Sequence, residues 1–187
     1  RVLIVELKCP KAGSPTLYPF AAGFAFICLL PETPYDIDKV VDAIHKRTKE
    51  GKGFTILAVE EGAISKEDEA LSKKEYKKKL AKSKYPSVSY EVADRISERL
   101  GLEVRVAVPG HTQRGGSPCP YDRVLCTRLG SAAAKAIMDE DYGCMIAMVN
   151  GQTKRYPLAV VAGQLKTVDP KSQMIKEAKR TGICFGD

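Results

Sequence analysis

The alternation of short apolar runs with one amphipathic stripe constrains this chain more than any other feature. Ile27 to Leu30 is a compact apolar run closed by Pro31, and Phe54 to Val59 is a second. Between them, Tyr35 to Glu50 sets Ile37, Val40, Val41 and Ile44 at the i, i+3, i+4, i+7 spacing of one helix face, with Asp36 placed to cap the helix and Gly51 to stop it. Strand, helix and strand in that order fold as a right-handed crossover with parallel strands. The pattern continues. Val92, Ile96 and Leu100 form another helical stripe stopped by Gly101, Val104 to Val108 reads as a buried strand ended by Pro109-Gly110, and Pro120 to Met138 reads as a helix. Cys144 to Val149 and Gln152 to Tyr156 read as a hairpin turned by Asn150-Gly151, and Pro170 to Arg180 as a final helix. The expected fold is α/β: three layers, a mostly parallel sheet flanked by helices, and an antiparallel hairpin edge near 144–156. One domain is expected over 1–187, with a charged helical insertion over 64–101. Arg1 to Glu6 reads as a buried strand with no polar lead-in, which points to a longer polypeptide.

Charge narrows the partners. Lys and Arg outnumber Asp and Glu by 30 to 23, a net charge of +7, and much of the surplus falls between Ser65 and Lys84. Lysines mixed there with Glu67, Asp68, Glu69 and Glu75 fit a solvated helix face, and no aromatic series interleaves them as stacking platforms, so nucleic acid is not expected as a partner. Cys9, Cys28, Cys119, Cys126, Cys144 and Cys184 contain no C-x-x-C pair, and His45 and His111 are the only histidines, so zinc spacing is absent. Reduced thiols in a cytoplasmic protein are the economical reading. The longest apolar stretch, Phe20 to Pro31, is too short to span a bilayer, so no membrane is expected either.

The chemistry concentrates in His111-Thr112-Gln113-Arg114-Gly115-Gly116-Ser117-Pro118, between a strand and a helix, where open α/β sheets bind ligands. Free backbone N–H groups and the positive helix end favour an anion. Arg114 offers a planar fork for two phosphate oxygens, and His111 donates from one ring nitrogen when neutral or both when protonated. The plain alternative is a solvated loop beside a glycine pair. Glu60-Glu61-Gly62 ends the Phe54 run at the same sheet edge; two carboxylates there are ordinarily solvated, but one is placed to accept sugar hydroxyls.

Gly110 to Pro118, followed by Tyr121-Asp122-Arg123 and Arg128-Leu129-Gly130, resembles the fructose 6-phosphate-binding segment of the phosphofructokinases. The resemblance extends to Pro31-Glu32, Tyr35-Asp36, Ala58 to Ala63 and Val168-Asp169-Pro170, and so to nearly the whole chain, as the second, sugar-phosphate half of such an enzyme. It implies a glycolytic 6-phosphofructokinase that phosphorylates the 1-hydroxyl of fructose 6-phosphate, with Mg2+ and ATP or pyrophosphate bound by the other, N-terminal half and none bound by this chain alone. It implies that His111 and Arg114 bind the sugar phosphate from within the subunit and that Glu61 holds its hydroxyls. Arg1 and Arg105 would reach the 6-phosphate across a subunit interface, in a homo-oligomer, dimer or tetramer. Lys52 falls where allosteric relatives bind an effector phosphate; a turn lysine is the plainer reading.

Two departures qualify this. Where the family carries Met-Gly-Arg or a close variant and then a helix, this chain has Lys8-Cys9-Pro10, Gly13-Ser14-Pro15 and Pro19-Phe20. Prolines cost about 3 kcal/mol each inside a helix, so either the helix is lost or this stretch is altered, and alteration is favoured. The Gly-Gly-Asp-Gly loop and Thr-x-Asp aspartate that supply donor site and catalytic base are absent; Asp36, Asp38, Asp139 and Asp141 read as helix ends, and no catalytic base is assigned. The leading expectation is the substrate half of the enzyme. A stand-alone, non-catalytic sugar-phosphate-binding or regulatory domain is the alternative, and a basic nucleic-acid-binding domain the third.

Overall fold

The computed structural model describes residues 1–8 and 25–187, so the departing stretch around Cys9 to Phe20 lies outside the described residues. Contacts gather into two compact units, 1–113 with 166–187, and 114–165.

The first unit is built on four parallel strands in the order β2-β3-β1-β4: β1 (Val2–Leu7), β2 (Ile27–Leu29), β3 (Thr55–Glu60) and β4 (Val104–Ala107). Helix α1 (Ile37–Lys49) connects β2 to β3, whose parallel pairing is the crossover product expected. The Asp36 carboxylate caps α1 by accepting the Asp38 N–H at 2.9 Å. Alternation along the strands then divides the side chains between two faces. Val2, Ile4, Ile27, Leu29, Leu57 and Val59 pack with Val40 and Ile44 of α1 and with Val92 and Ile96 of α4 (Val88–Leu100). Cys28 and Ala58 face the opposite way, toward Ile175 and Ala178 of the last helix (Gln173–Arg180) and Phe185. Helix, sheet and helix are the three layers.

Three expectations change. Val104 to Val108 was expected to be buried, but β4 is the outer strand of its sheet, its residues alternate half-buried and exposed, and Val108 is 46% exposed. The 64–101 segment is not one charged insertion. Its first part, α2 (Lys66–Glu69) and α3 (Lys73–Lys82), is an exposed arm, and α3 buries no residue. Its second part is α4, the core helix leading from β3 to β4, because Val92, Ala93 and Ile96 fall on one helix face against the sheet. The last helix starts at Gln173 rather than Pro170, with Ser172 as its N-cap.

The second unit holds α5 (Pro120–Met138), β5 (Cys144–Val149) and β6 (Gln152–Pro157), with a short α6 (Leu158–Val161). Asn150 and Gly151 both have positive φ, 50° and 75°, as a two-residue hairpin requires. The hairpin is present but forms its own two-stranded antiparallel sheet instead of an edge of the parallel one. The last helix of the chain, α7 (Gln173–Arg180), belongs to the first unit. Among the described residues no helix is long and apolar enough to cross a membrane.

Candidate functional site

The carboxyl end of the parallel sheet is organised around the last residues of β1. Leu7 O accepts the N–H of Glu61 at 2.9 Å. Glu6 O accepts the side-chain amide of Gln113 at 3.0 Å, and the Lys8 N–H donates to Gln113 Oε1 at 3.2 Å. Two loops that follow different strands are thus tied to three successive residues, Glu6 to Lys8, at the end of a third. One loop presents Glu61, exposed, directly after β3; the other is a 3-10 turn, Gly110–Arg114, that presents His111. Gly110 has φ 57°, and the turn is closed by Thr112 N–H donating to Pro109 O at 3.1 Å. Arg114, also exposed, is the last residue of the same turn.

Glu60 does not share the solvated setting expected of the pair. It is the last residue of β3 and is fully buried, because its side chain falls on an inner face of the sheet. Burial, reinforced by the negative charge of Glu60 and then Glu32, pushes the Cys28 thiol far above its usual range, so Cys28 is an unreactive core thiol. The helix-end argument for an anion also changes. Helix α5 has Cys119 as its N-cap, and the Cys119 N–H already donates to the Asp122 carboxylate at 3.1 Å. A carboxylate of the chain therefore occupies part of that positive end.

Glu61 also lines a cavity of about 320 Å3 with Glu6, Tyr76, Lys79 and Tyr85, between the sheet and the α2–α3 arm. Lys79 Nζ bridges Asp68 at 2.7 Å and Glu91 at 3.4 Å. Burial opposes its charge, but those two carboxylates outweigh burial and raise its pKa. Glu6 is itself buried, and its carboxylate accepts the Ser87 hydroxyl. Sequence reasoning assigned nothing to Gln113, Tyr76 or Tyr85; two tyrosines inside a lysine-rich stretch were the available signal for the arm's inner face.

Arg1 and Arg105 lie at the other end of the sheet. They line one cavity of about 250 Å3 with Leu3, Phe54 and Glu103. Arg105 stands opposite Leu3 in the β1–β4 register and gives Nε and Nη2 to Glu103 Oε1 at 2.9 and 2.8 Å. Those bonds hold the Glu103 carboxyl below the usual glutamate range. Lys52 is exposed in the turn between α1 and β3, near Arg47, whose guanidinium lies 3.3 Å over the Phe26 ring. At about 3.3 Å per residue, Arg1 lies roughly 20 Å of strand from the Leu7 end of β1, and Arg105, in register with Leu3, roughly 13 Å. Glu61 and the His111 turn share the carboxyl end of the sheet, tied to the end of β1 from its β3 and β4 sides, whereas Arg1 and Arg105 line one cavity at the other end.

In the second unit, α5 and the hairpin enclose a cavity of about 580 Å3 lined by Arg128, Lys135, Lys154 and Arg155. Its arginines are engaged: Arg155 pairs with Asp139 at 2.7 Å and Asp141 at 2.9 Å, and Arg128 donates to Gly151 O.

A family model described as Phosphofructokinase matches residues 1–137. The chain belongs to the phosphofructokinase family. Over all of its 187 residues it is 46% identical to the ATP-dependent 6-phosphofructokinase of Spirochaeta thermophila, of which it covers 51%. It resembles the T-state phosphofructokinase of Pichia pastoris with a TM-score of 0.65 and 33% identity, covering 86% of this chain and 17% of that one. A pyrophosphate-dependent phosphofructokinase from Marinobacter aquaeolei shares the fold, with a TM-score of 0.75 at 18% identity, over 98% of this chain and 48% of that one. The chain spans about half the length of the curated phosphofructokinases it matches.

Proposed function

We propose that residues 1–187 are the sugar-phosphate half of a 6-phosphofructokinase, which binds fructose 6-phosphate and presents its 1-hydroxyl for phosphorylation. The observation that carries this is the junction at the end of β1, to which the Glu61 loop and the His111 turn are both tied, one from each side, on a family scaffold. Glu61 accepts hydrogen bonds from sugar hydroxyls, and His111 with Arg114 donates to the phosphate, where charged hydrogen bonds are the strong ones. Mg2+ with ATP or pyrophosphate supplies the phosphoryl group and is bound by the other half of a longer polypeptide.

The separation of the arginines supports a reading of the assembly. Arg1 and Arg105 line a cavity at the end of the sheet opposite the His111 turn of their own chain. They complete the pocket of a neighbouring copy, so the enzyme acts as a homo-oligomer. In this reading Lys52, exposed at that same end, contributes to an effector phosphate site. Calorimetry of fructose 6-phosphate binding to the intact polypeptide tests the reading. Arg114→Ala weakens binding by about 1.5 to 3 kcal/mol if it makes a charged hydrogen bond to the phosphate; an unchanged affinity removes Arg114 from the site.

A further inference from the structure

Pro109 leaves a gap in the β1–β4 ladder, and the gap has been filled. Alternate residues of β1 turn their backbone groups to opposite neighbours. Arg1 O and Leu7 O face β3, accepting from Thr55 and Glu61, whereas the Val2 N–H faces the other way and donates to Glu103 O. The even series continues to Glu6 O and Lys8 N–H, which therefore face the chain that follows β4. Register pairs Val5 with Ala107, and two further steps bring Pro109 opposite Leu7. In a parallel ladder the residue there donates its N–H to Glu6 O and accepts the Lys8 N–H. Pro109 has no N–H to give, and its carbonyl is already taken by Thr112 at 3.1 Å.

The Gln113 side chain supplies both halves of the missing rung. Its Nε2 donates to Glu6 O at 3.0 Å and its Oε1 accepts the Lys8 N–H at 3.2 Å. A primary amide carries the same donor and acceptor as a peptide group, so it can take the place of one. We infer that Gln113 is a positioning residue that substitutes for the Pro109 peptide and so fixes the 3-10 turn carrying His111 against the end of β1. The inference rests on the reading of His111 as a fructose 6-phosphate ligand. It also explains a conflict in the local sequence: Pro109 ends the strand sharply enough to start the turn, and Gln113, four residues on, restores the bonding that this removes.

The test uses the intact polypeptide, with initial rates over fructose 6-phosphate concentration and amide exchange read by mass spectrometry over peptides covering 1–8 and 108–114. Gln113→Met keeps the length and removes both polar groups. It raises KM for fructose 6-phosphate about tenfold with little change in kcat, the loss expected of two hydrogen bonds acting on binding alone, and speeds exchange at Lys8 and Thr112. Adding Pro109→Ala returns a main-chain N–H to Glu6 O, and the double variant recovers most of the lost affinity. His111→Ala raises KM without altering exchange. If His111→Ala raises KM but Gln113→Met does not, or if the double variant is no better than Gln113→Met, the positioning role is overturned. If His111→Ala leaves KM unchanged, the substrate reading falls instead, and the exchange data alone decide the rung: unchanged protection in Gln113→Met overturns it.

Discussion

At the carboxyl end of the parallel sheet the candidate ligands stand on backbone that is tied down, Glu61 through its own N–H and the His111 turn through Gln113, both to β1. At the amino end, Arg1 and Arg105 also stand on paired backbone, but their charged groups lie at the ends of long side chains on an exposed rim, where Arg105 is held by an ion pair with Glu103 whose side chains are 72% and 55% exposed. The difference separates two ways of building a pocket wall. Fixed backbone gives a preformed surface that selects by shape. A flexible cation held by a neighbouring carboxylate gives a contact that must be exchanged when a ligand arrives, and exposed ion pairs of this kind contribute little to stability.

The largest expected effect erases the comparison, because both ends share one core. Ile4 is fully buried at the middle of β1, and Ile4→Ala destabilises the first unit by about 2 to 5 kcal/mol, read by urea unfolding. Changes at either end leave the unfolding midpoint near its original value. Next is Arg105→Ala, which weakens fructose 6-phosphate binding by about 1.5 to 3 kcal/mol. If Arg105 serves a neighbouring copy, mixing Arg105→Ala with His111→Ala subunits of the intact polypeptide restores about a quarter of the original rate, since half of randomly formed dimers carry one complete pocket of two. Mixtures as inactive as their components place Arg105 in its own chain's pocket and break the comparison.

Smaller still is Glu103→Gln, which frees Arg105 from its partner and tightens fructose 6-phosphate binding slightly, as calorimetry reads it. The smallest effect is a pH dependence. Because Arg105 holds the Glu103 carboxyl below the usual glutamate range in the folded chain, the contribution of this pair is whole above that range and is lost as pH falls through the lowered value. The difference in unfolding midpoint between the original chain and Glu103→Gln therefore shrinks on acidification, and a difference that grows would contradict the assignment.

Much of this was legible from periodicity. The stripe of Ile37, Val40 and Ile44 with its Asp36 cap, and the Asn150-Gly151 hairpin, are set by neighbours within one or two turns of chain, and they form as the spacing predicts. The α5 bounds, Pro120 to Met138, are likewise fixed by a proline suited to the first helical position and by the end of the apolar pattern. What failed depends on partners distant in sequence. No local signal shows that Val104 to Ala107 ends up as an outer strand, that among the described residues the hairpin forms a two-stranded sheet of its own, or that Glu60 is buried while Glu61 is not. The motif from Gly110 to Pro118 was read for its charged members, so Gln113, neutral and spaced for no motif, was passed over; its role appears only when β1 is beside it.

The α2–α3 arm has a property that the core lacks: it answers to ionic strength. It is joined to α4 by Lys79 with Glu91 and Arg95 with Glu67, Lys84 just beyond it pairs with Asp94, and α3 has no fully buried residue, its Tyr76 being half-buried. Added salt shortens the screening length from about 10 Å at 0.1 M to about 3 Å at 1 M, which weakens exposed charge pairs and leaves buried apolar contacts in place. The wall of the cavity beside Glu61 is therefore its most salt-sensitive part, and ionic strength becomes a dial that loosens one side of the carboxyl-end pocket while the sheet behind it stays as it is.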